Sequence, residues 1–549
     1  MAHLVLGPLL RYASDTEATV WVQTDGPCEV AVLGHRARTF ELDGLHVAVV
    51  RVRGLQPGSA TPYEVALDGE RRWPPSDDGG FPPSCIRTLP GSGEPLDLAF
   101  GSCRLTLPHR EPYDLLPDQH EQGRGVDALE ALAERMRAEG AFPHLLLLIG
   151  DQIYADEVSP ATREVIRARR DTSQPPGEEV ADLAEYAELY RESWTDPPVR
   201  WLLSTVPSAM VFDDHDVHDD WNTSAAWVAG MRAKGWWEER IVSALMSYWL
   251  FQHLGNLSPA ELDGDPLLAQ VEACGGDAAP LVRDFARRAD RDPASVRWSY
   301  ARALGRSRLV VVDARAGRVL DPQARDMLDE HEWAWLEDEL RGDVEHLVVA
   351  STLPVLLSPA LHELEAADEA IASGAWGRRA ARLAEHVRQG LDLEHWSAFG
   401  RSFRRLWRLL TDVGAGRRGA PPASIVLLGG DVHHAYLAEV GFPAGSGVAS
   451  HVFQAVCSPI RHPLGRHERR AVLAAWSPAA HRITRRLARA AGVERPPVGW
   501  RLVHDRPWTD NQLAGLRLEE RHAVVHLDRA VKDPGGLARL ERIFEHRLA

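Results

Sequence analysis

Four apolar runs in this 549-residue chain each end in side chains that bind metals. The first is Ala99-Phe100-Gly101, followed by Ser102 and Cys103. The second is Leu145 to Ile149, followed by Gly150, Asp151, Gln152, Ile153 and Tyr154. The third is Met210-Val211-Phe212, followed by Asp213, Asp214, His215 and Asp216. The fourth is Ile425 to Leu428, followed by Gly429, Gly430, Asp431, Val432, His433 and His434. Short apolar runs bounded by glycine and polar residues read as buried strands. Each strand then hands ligands to the loop that follows it. One such segment would mean little. Four with compatible ligands point to a two-metal site at the ends of neighbouring strands. Paired metals are a common device for hydrolysing phosphate esters.

The ligand types narrow the chemistry. A carboxylate such as Asp151 can bridge two cations, and the phenol of Tyr154 lies three residues on. Tyrosinate binds strongly only to a hard, acidic ion, with Fe(III) the natural choice, because the metal must lower a pKa near 10. Cys103 would add a thiolate, which iron accepts. Asp431 and His433 are two apart, so an extended segment turns both to one side. Each element is ambiguous alone. A buried cysteine is usually a small hydrophobe, and an aspartate after glycine often caps a turn. His218 and His434 are read as structural.

Composition excludes some functions. Acidic residues number 79 against 62 Lys plus Arg, a formal net charge of −17. Stable nucleic-acid binding, which draws on basic patches, is not expected. The five cysteines are few, odd in number and irregularly spaced, and read as reduced thiols. The first residues, Met1-Ala-His-Leu-Val-Leu-Gly-Pro8, carry neither a charged n-region with a long apolar stretch nor twin arginines. No apolar run approaches the roughly 20 residues of a membrane span. The expectation is a cytoplasmic protein without a membrane span. Nothing in the sequence fixes the oligomeric state.

Residues 1–92 read as an all-β sandwich. Thr19–Gln23, His46–Val52 and Thr61–Leu67 are strand-like, with a turn at Gly54-Leu55-Gln56-Pro57-Gly58. This turn, with Pro62-Tyr63-Glu64-Val65 after it, resembles a late-strand turn of fibronectin type III domains. A loop is expected at 74–80 and a linker at 90–95. Residues 93–549 alternate strands and helices, with helices expected at 126–139, 182–194 and 240–254. Residues 361–410 read as largely helical, with a solvated Arg and Glu face. A final helix is expected at 535–548.

Taken together, Gly101-Ser-Cys-Arg104, Gly150-Asp-Gln-Ile-Tyr154, Asp213-Asp-His-Asp216, Asp313-Ala-Arg315, Ser351-Thr-Leu-Pro354 and Gly429-Gly-Asp-Val-His433 resemble the calcineurin-like metallophosphoesterases. Within that group they resemble specifically the PhoD-like alkaline phosphatase D family. The resemblance implies that Cys103, Asp151, Tyr154 and His433 hold Fe(III). It also implies that Asp151 bridges to a second metal completed by Asp214 and Asp431. Ordinary members tend to have Asn and His at those last two positions, and a further His after another strand. Here that strand runs Ala350-Ser351-Thr352-Leu353, without histidine. An oxygen-rich second site favours Ca²⁺, Mn²⁺ or Mg²⁺ over Zn²⁺. His215 would assist the leaving oxygen, with Asp216 orienting its ring. Arg104 and Arg315 would be phosphate clamps. The segment Asp392-Leu-Glu-His-Trp396 matches the family's Trp-containing helix only loosely, and family members are often exported.

The fold expected is α/β: a four-layer αββα domain with two packed mixed sheets, preceded by an immunoglobulin or fibronectin III-like sandwich. The function expected is hydrolysis of phosphate monoesters or diesters by a metal-activated water. Neither Ser102 nor Cys103 is then needed as a nucleophile. Phospholipase-like or nucleotide phosphodiesterase activity on the same site, and a non-catalytic phosphate- or metal-binding module, are the alternatives.

Overall fold

The computed structural model describes residues 1–75, 80–91 and 93–549. The expected loop at 74–80 and linker at 90–95 fall partly outside the described residues, at Ser76 to Gly79 and at Ser92. The chain is a mixed α/β protein with several sheets, and its N-terminal region is β-rich.

That region holds two four-stranded sheets. One has the order Leu4–Ala13, Glu17–Thr24, Leu45–Arg53, Phe40–Leu42, and the other His35–Arg38, Glu29–Val32, Val65–Leu67, Glu70–Trp73. The stretch expected as one strand at 61–67 is two strands. Ala60–Pro62 pairs with Cys85–Arg87, while Val65–Leu67 joins the second sheet. Side chains alternate across a strand. Leu10, Val20, Val22, Val50 and Val52 face the interior between the sheets. Leu9, Trp21, Val47 and Val49 point the other way, into the core of the rest of the chain. The first sheet is therefore buried on both faces, which explains its unbroken apolar runs.

Arg11 fastens this sheet down. Its guanidinium is fully buried and donates to the carbonyls of Phe251 (2.5 Å) and Gln252 (2.9 Å). Trp21 Nε1 donates to the Leu250 carbonyl at 3.0 Å. These carbonyls belong to a π-helical turn, Tyr248–His253, inside the helix that begins at Trp237 and ends at Asn256. A π-turn frees carbonyls from the usual ladder, and such turns often mark functional sites.

Two larger mixed sheets follow. The six-stranded sheet runs Ser208–Val211, Leu145–Ile149, Leu96–Gly101, Gln512–Glu519, His522–Lys532, Ala538–Arg547. The seven-stranded sheet runs Tyr300–Leu304, Ser307–Val312, His346–Ser351, Ser424–Gly429, His451–Val456, Tyr436–Gly441, Gly499–Leu502. Val311, Val348, Ala350, Val426 and Leu428 share one core with Leu98, Phe100, Leu146, Leu148 and Leu516 of the other sheet. Their neighbours Val310, Val312, Val349, Ile425 and Leu427 pack instead on Trp333, Leu336, Leu406 and Leu410 of the helices Glu330–Glu339 and Gly400–Gly414.

The expected helices form at Ala128–Glu139 and Leu183–Thr195, capped by the side chains of Asp127 and Asp182. Residues 361–410 are largely helical, through Pro359–Ala372, Arg378–Gly390 and Gly400–Gly414. The expected C-terminal helix is corrected. Ala538–Arg547 is an edge strand, antiparallel to His522–Lys532. Its Leu, Ala, Arg and Glu favour helix, but Ala538 and Leu540 are buried in the sheet's core, and Arg542 and Glu541 pair across to Asp528 and Arg529. Tertiary pairing overrides a weak propensity. Among the described residues, no helix is long and apolar enough to cross a membrane.

Candidate metal centre

Three of the four ligand-bearing strands are neighbours. Leu96–Gly101, Leu145–Ile149 and Ser208–Val211 run parallel, so their C-terminal ends share one edge. The fourth, Ser424–Gly429, belongs to the seven-stranded sheet, which corrects the expectation of four adjacent strands. The two sheets meet at their strand ends through backbone contacts. Asp431 N donates to Ser102 Oγ at 3.0 Å, and Ile460 N donates to the Ser102 carbonyl at 2.7 Å. Glycine is required at this seam. A Cβ on Gly430 would collide with Ser102 Oγ and the Ile149 carbonyl, and one on Gly150, at φ +96°, would stand 2.8 Å from Asp213 Cβ.

Cys103, Asp151, Asp431 and His433 all have left-handed backbones, with φ of 58°, 48°, 64° and 51°. Such residues cost on the order of 1–3 kcal/mol each and cluster where side chains must be aimed. The ligand oxygens of Asp151, Asp213, Asp214 and Asp431 lie within 4.8 Å of one another. Asp151 Oδ1 is buried there with no hydrogen-bond partner. Its other oxygen receives the Tyr154 hydroxyl at 3.4 Å. Cys103 Sγ is fully buried, accepts from Ser458 Oγ at 3.1 Å and lies 3.5 Å from the Asp431 carbonyl. His433 sits at the rim, its Nδ1 3.1 Å from His462 Nδ1.

The electrostatics of this cluster call for cations. Burial, with Asp213 and Asp214 beside it, pushes Asp151 well above the carboxylate range, although His215 opposes the shift. Burial lifts Asp214 to about 6 against the pull of Arg315. Burial and the carboxylates likewise raise the Cys103 thiol and the Tyr154 phenol. Burial drives His433 well below its ordinary value, with His462 adding to the effect, so its imidazole is neutral and able to donate a lone pair. A strained, buried set of acidic oxygens with an orphaned carboxylate atom, a thiol, a phenol and a neutral imidazole fits metal ions. The tight group holds Asp151, Asp214 and Asp431, together with Asp213. Cys103, Tyr154 and His433 stand around it.

His215 stands beside the cluster and is held by a carboxylate. Its ring packs on Tyr154, centroids 4.5 Å apart, and its Nδ1 lies 3.0 Å from both oxygens of Asp156. Burial disfavours its charge, but Asp156 and Asp214 outweigh it and hold the imidazole pKa well above 6.5. The expectation that Asp216 orients this ring is corrected. Asp216 instead accepts from Asp213 N (2.9 Å) and Gln252 Nε2 (3.1 Å), and burial raises it to about 7. It shapes the loop, and Asp156 holds the imidazole.

Both arginines are also reassigned. Arg104 is 2% exposed and donates to Asp127 Oδ2 (2.9 Å) and Ser193 Oγ (2.7 Å), turned away from the carboxylates. Arg315 is fully buried, and each of its nitrogens is engaged. Nε meets Asp213, Nη1 meets Glu394, and Nη2 meets Asp214 (3.0 Å) and Asp431 (3.4 Å). Four of its five N–H groups are committed to carboxylates, so it offsets their charge rather than standing free as a phosphate clamp.

The Arg104 network yields a pH prediction. His109 lies against Asp127 (3.3 Å), Glu130 (3.3 Å) and Asp196 (3.4 Å). Burial opposes its charge, but these carboxylates prevail, and its pKa rises from 6.5 to about 9. A pKa raised on folding stabilises fully below the unfolded value and loses that contribution as pH climbs through the folded one. Unfolding free energy should therefore fall between pH 6.5 and about 9, by up to roughly 3 kcal/mol from this group. His109→Gln should flatten that slope in denaturant titrations. Identical slopes in both proteins would contradict the assignment.

Sequence reading missed several residues of the site. Asp213 stood inside a quoted segment without a role, and Asp156 lies two residues past the end of another. Glu394 and His395 arrive from the loosely matching segment. Glu394 pairs with Arg315 and Arg318. His395 Nδ1 contacts Glu365 at 2.8 Å, and its Nε2 lies 3.2 Å from Asp431 Oδ2. Burial opposes its charge, but Glu365 and Asp431 hold its pKa well above 6.5. It therefore faces Asp431 as a cation. His462 joins His433 to Glu157, 3.3 Å from its Nε2. The His-Trp pair after two acidic residues was the one available signal. His434 is buried, stacks on Tyr436 and has its pKa lowered to about 4 by burial. His218 packs among Trp227, Trp236 and Trp237.

Residues 1–86 match a domain of unknown function, DUF7800. Residues 125–490 match the PhoD-like phosphatase family. No curated protein matches the chain. A solved structure described as "Structure of PhoD" aligns with 99% of this chain and 90% of its own, with a TM-score of 0.59 and 13% identity, a likeness of fold. The chain belongs to the PhoD-like phosphatase family, whose substrates are phosphate esters.

Proposed function

We propose that the protein hydrolyses phosphate monoesters or diesters at a two-metal centre built on Asp151. The observation that carries this reading is the orphaned Asp151 Oδ1 among the converging carboxylates of Asp213, Asp214 and Asp431. Cys103, Asp151, Tyr154 and His433 would hold Fe(III). Asp151, Asp214 and Asp431 would hold Ca²⁺, with Mn²⁺ or Mg²⁺ able to substitute. When bound, such a pair supplies positive charge that activates water and offsets the charge growing on the phosphoryl oxygens. Arg315 and His395 favour the charged form of Asp431, and Arg315 with Arg318 that of Glu394. His215, held by Asp156, gives a proton to the leaving oxygen.

The core shared by the two large sheets, with helices on the outer face of one and Ala128–Glu139 packed in the core of the other, supports the four-layer αββα reading. The paired four-stranded sheets support an immunoglobulin or fibronectin III-like sandwich over 1–92, with the catalytic part at 93–549.

The test combines metal analysis with turnover of p-nitrophenyl phosphate and its bis-ester. Natively purified protein should contain iron and be coloured by charge transfer from Tyr154. Tyr154→Phe should bleach or shift that band. Colourless, iron-free and fully active protein would sink the iron assignment. Removing the second metal with a chelator should abolish activity while iron remains, with Ca²⁺ or Mn²⁺ restoring it. Full recovery with Zn²⁺ alone would contradict the oxygen-ligand argument.

A further inference from the structure

We propose that the helical hairpin formed by Arg466–Ala475 and Pro478–Ala490 docks the protein on an anionic lipid surface. This chain has a net charge of −17, yet residues 466–490 hold seven arginines against one glutamate. Nearly all of that charge is unanswered. Among the described residues, no carboxylate lies within ion-pair reach of Arg466, Arg470, Arg482, Arg486 or Arg489, and all five are exposed. Arg482, Arg486 and Arg489 follow helical spacing, so they share one face of the second helix. Ile483, 67% exposed, follows Arg482 at the flank of that face, and Leu473, 41% exposed, stands on the first helix. The half-exposed indole of Trp376 is tied to the end of the second helix by a 3.2 Å bond to the Ala490 carbonyl.

Basic helices with aliphatic and Trp side chains among the arginines suit the boundary between lipid headgroups and acyl chains. Arginine pairs with the phosphates while the apolar groups enter the boundary. A nucleic acid would meet the same charge but leave Ile483 and Leu473 in water, so the exposed aliphatics favour lipid. The hairpin leaves the centre directly after His462, and Trp476, between its helices, packs on His434 and Tyr436 with centroids 6.3 and 5.9 Å away. The hairpin is thus anchored beside the segment that carries His433.

The test is co-sedimentation of the full chain with vesicles of phosphatidylglycerol and phosphatidylcholine, against phosphatidylcholine alone, at about 0.1 M salt. Binding should require the anionic lipid. Arg482→Glu with Arg486→Glu should weaken it at least about twenty-fold, from roughly fivefold per arginine near a charged surface. Arg482→Lys with Arg486→Lys should retain most of it, and Ile483→Asp should lose several-fold with the arginines intact. Unchanged melting temperatures would show that the variants are folded. Absence of parent binding, or equal binding by the charge-reversed variant, would overturn the proposal. Arginine-dependent binding to duplex DNA without vesicle binding would overturn it too, in favour of a polyanion. Vesicle binding is read without turnover, so its outcome is independent of the metal-centre reading.

Discussion

His215→Ala should lower kcat by about 10²–10⁴-fold on an ester with a poor leaving group, the usual worth of a positioned acid. The imidazole stands at the rim of the carboxylate cluster, held by Asp156, and the carboxylates around it keep it protonated. A p-nitrophenolate leaves with little help, so the loss on p-nitrophenyl phosphate should be much smaller. Metal content should stay near that of the parent. Asp156→Asn should weaken the hold on the imidazolium and move the alkaline limb of the rate profile to lower pH. Equal losses on both esters, together with missing metal, would place His215 among the ligands.

Arg315→Met should destabilise the fold by about 3–5 kcal/mol, the cost typical of leaving buried charge without its partner. Four carboxylates meet this guanidinium, and three of them, Asp213, Asp214 and Glu394, are buried. Denaturant titration reads the loss as a shifted midpoint. Arg315→Lys should recover only part of it, because a single ammonium cannot span that fork. Adding Asp213→Asn to Arg315→Met should recover part as well, since one orphaned charge disappears. A midpoint unchanged by Arg315→Met would mean that the carboxylates are already neutral or held by other cations. That outcome would withdraw the role given to this arginine.

Much of the centre was legible because its residues sit where strands end. A buried parallel strand must be apolar throughout, so the first polar residues after Leu145–Ile149 or Ser424–Gly429 stand out. The glycines before Asp151 and Asp431 mark the tight seam between sheets. What sequence cannot give is direction. Arg104 and Arg315 both adjoin ligand motifs, yet one turns to Asp127 and the other into the carboxylates. Asp216 and Asp156 offer the same group to His215, and only the fold selects Asp156. His395 comes to Asp431 from a segment far along the chain, beyond local pattern. The C-terminal strand was missed for a different reason. Its residues favour helix, and its sheet partner decides otherwise.

The attachment through Arg11 also bears on how this protein could be taken apart or rebuilt. Arg11 holds the carbonyl of Gln252, whose side chain holds Asp216, which in turn receives the backbone N–H of Asp213. Three links thus join the first sheet to the loop that carries Asp214 and His215. Deleting the N-terminal region would remove the half of a shared core that Leu9, Trp21 and Val49 supply, bare the face they cover and release that loop. A foreign sandwich grafted in its place would have to bring its own buried cation to the same two carbonyls. The β-rich N-terminal region and the larger sheets differ in architecture, yet these contacts make them one mechanical unit.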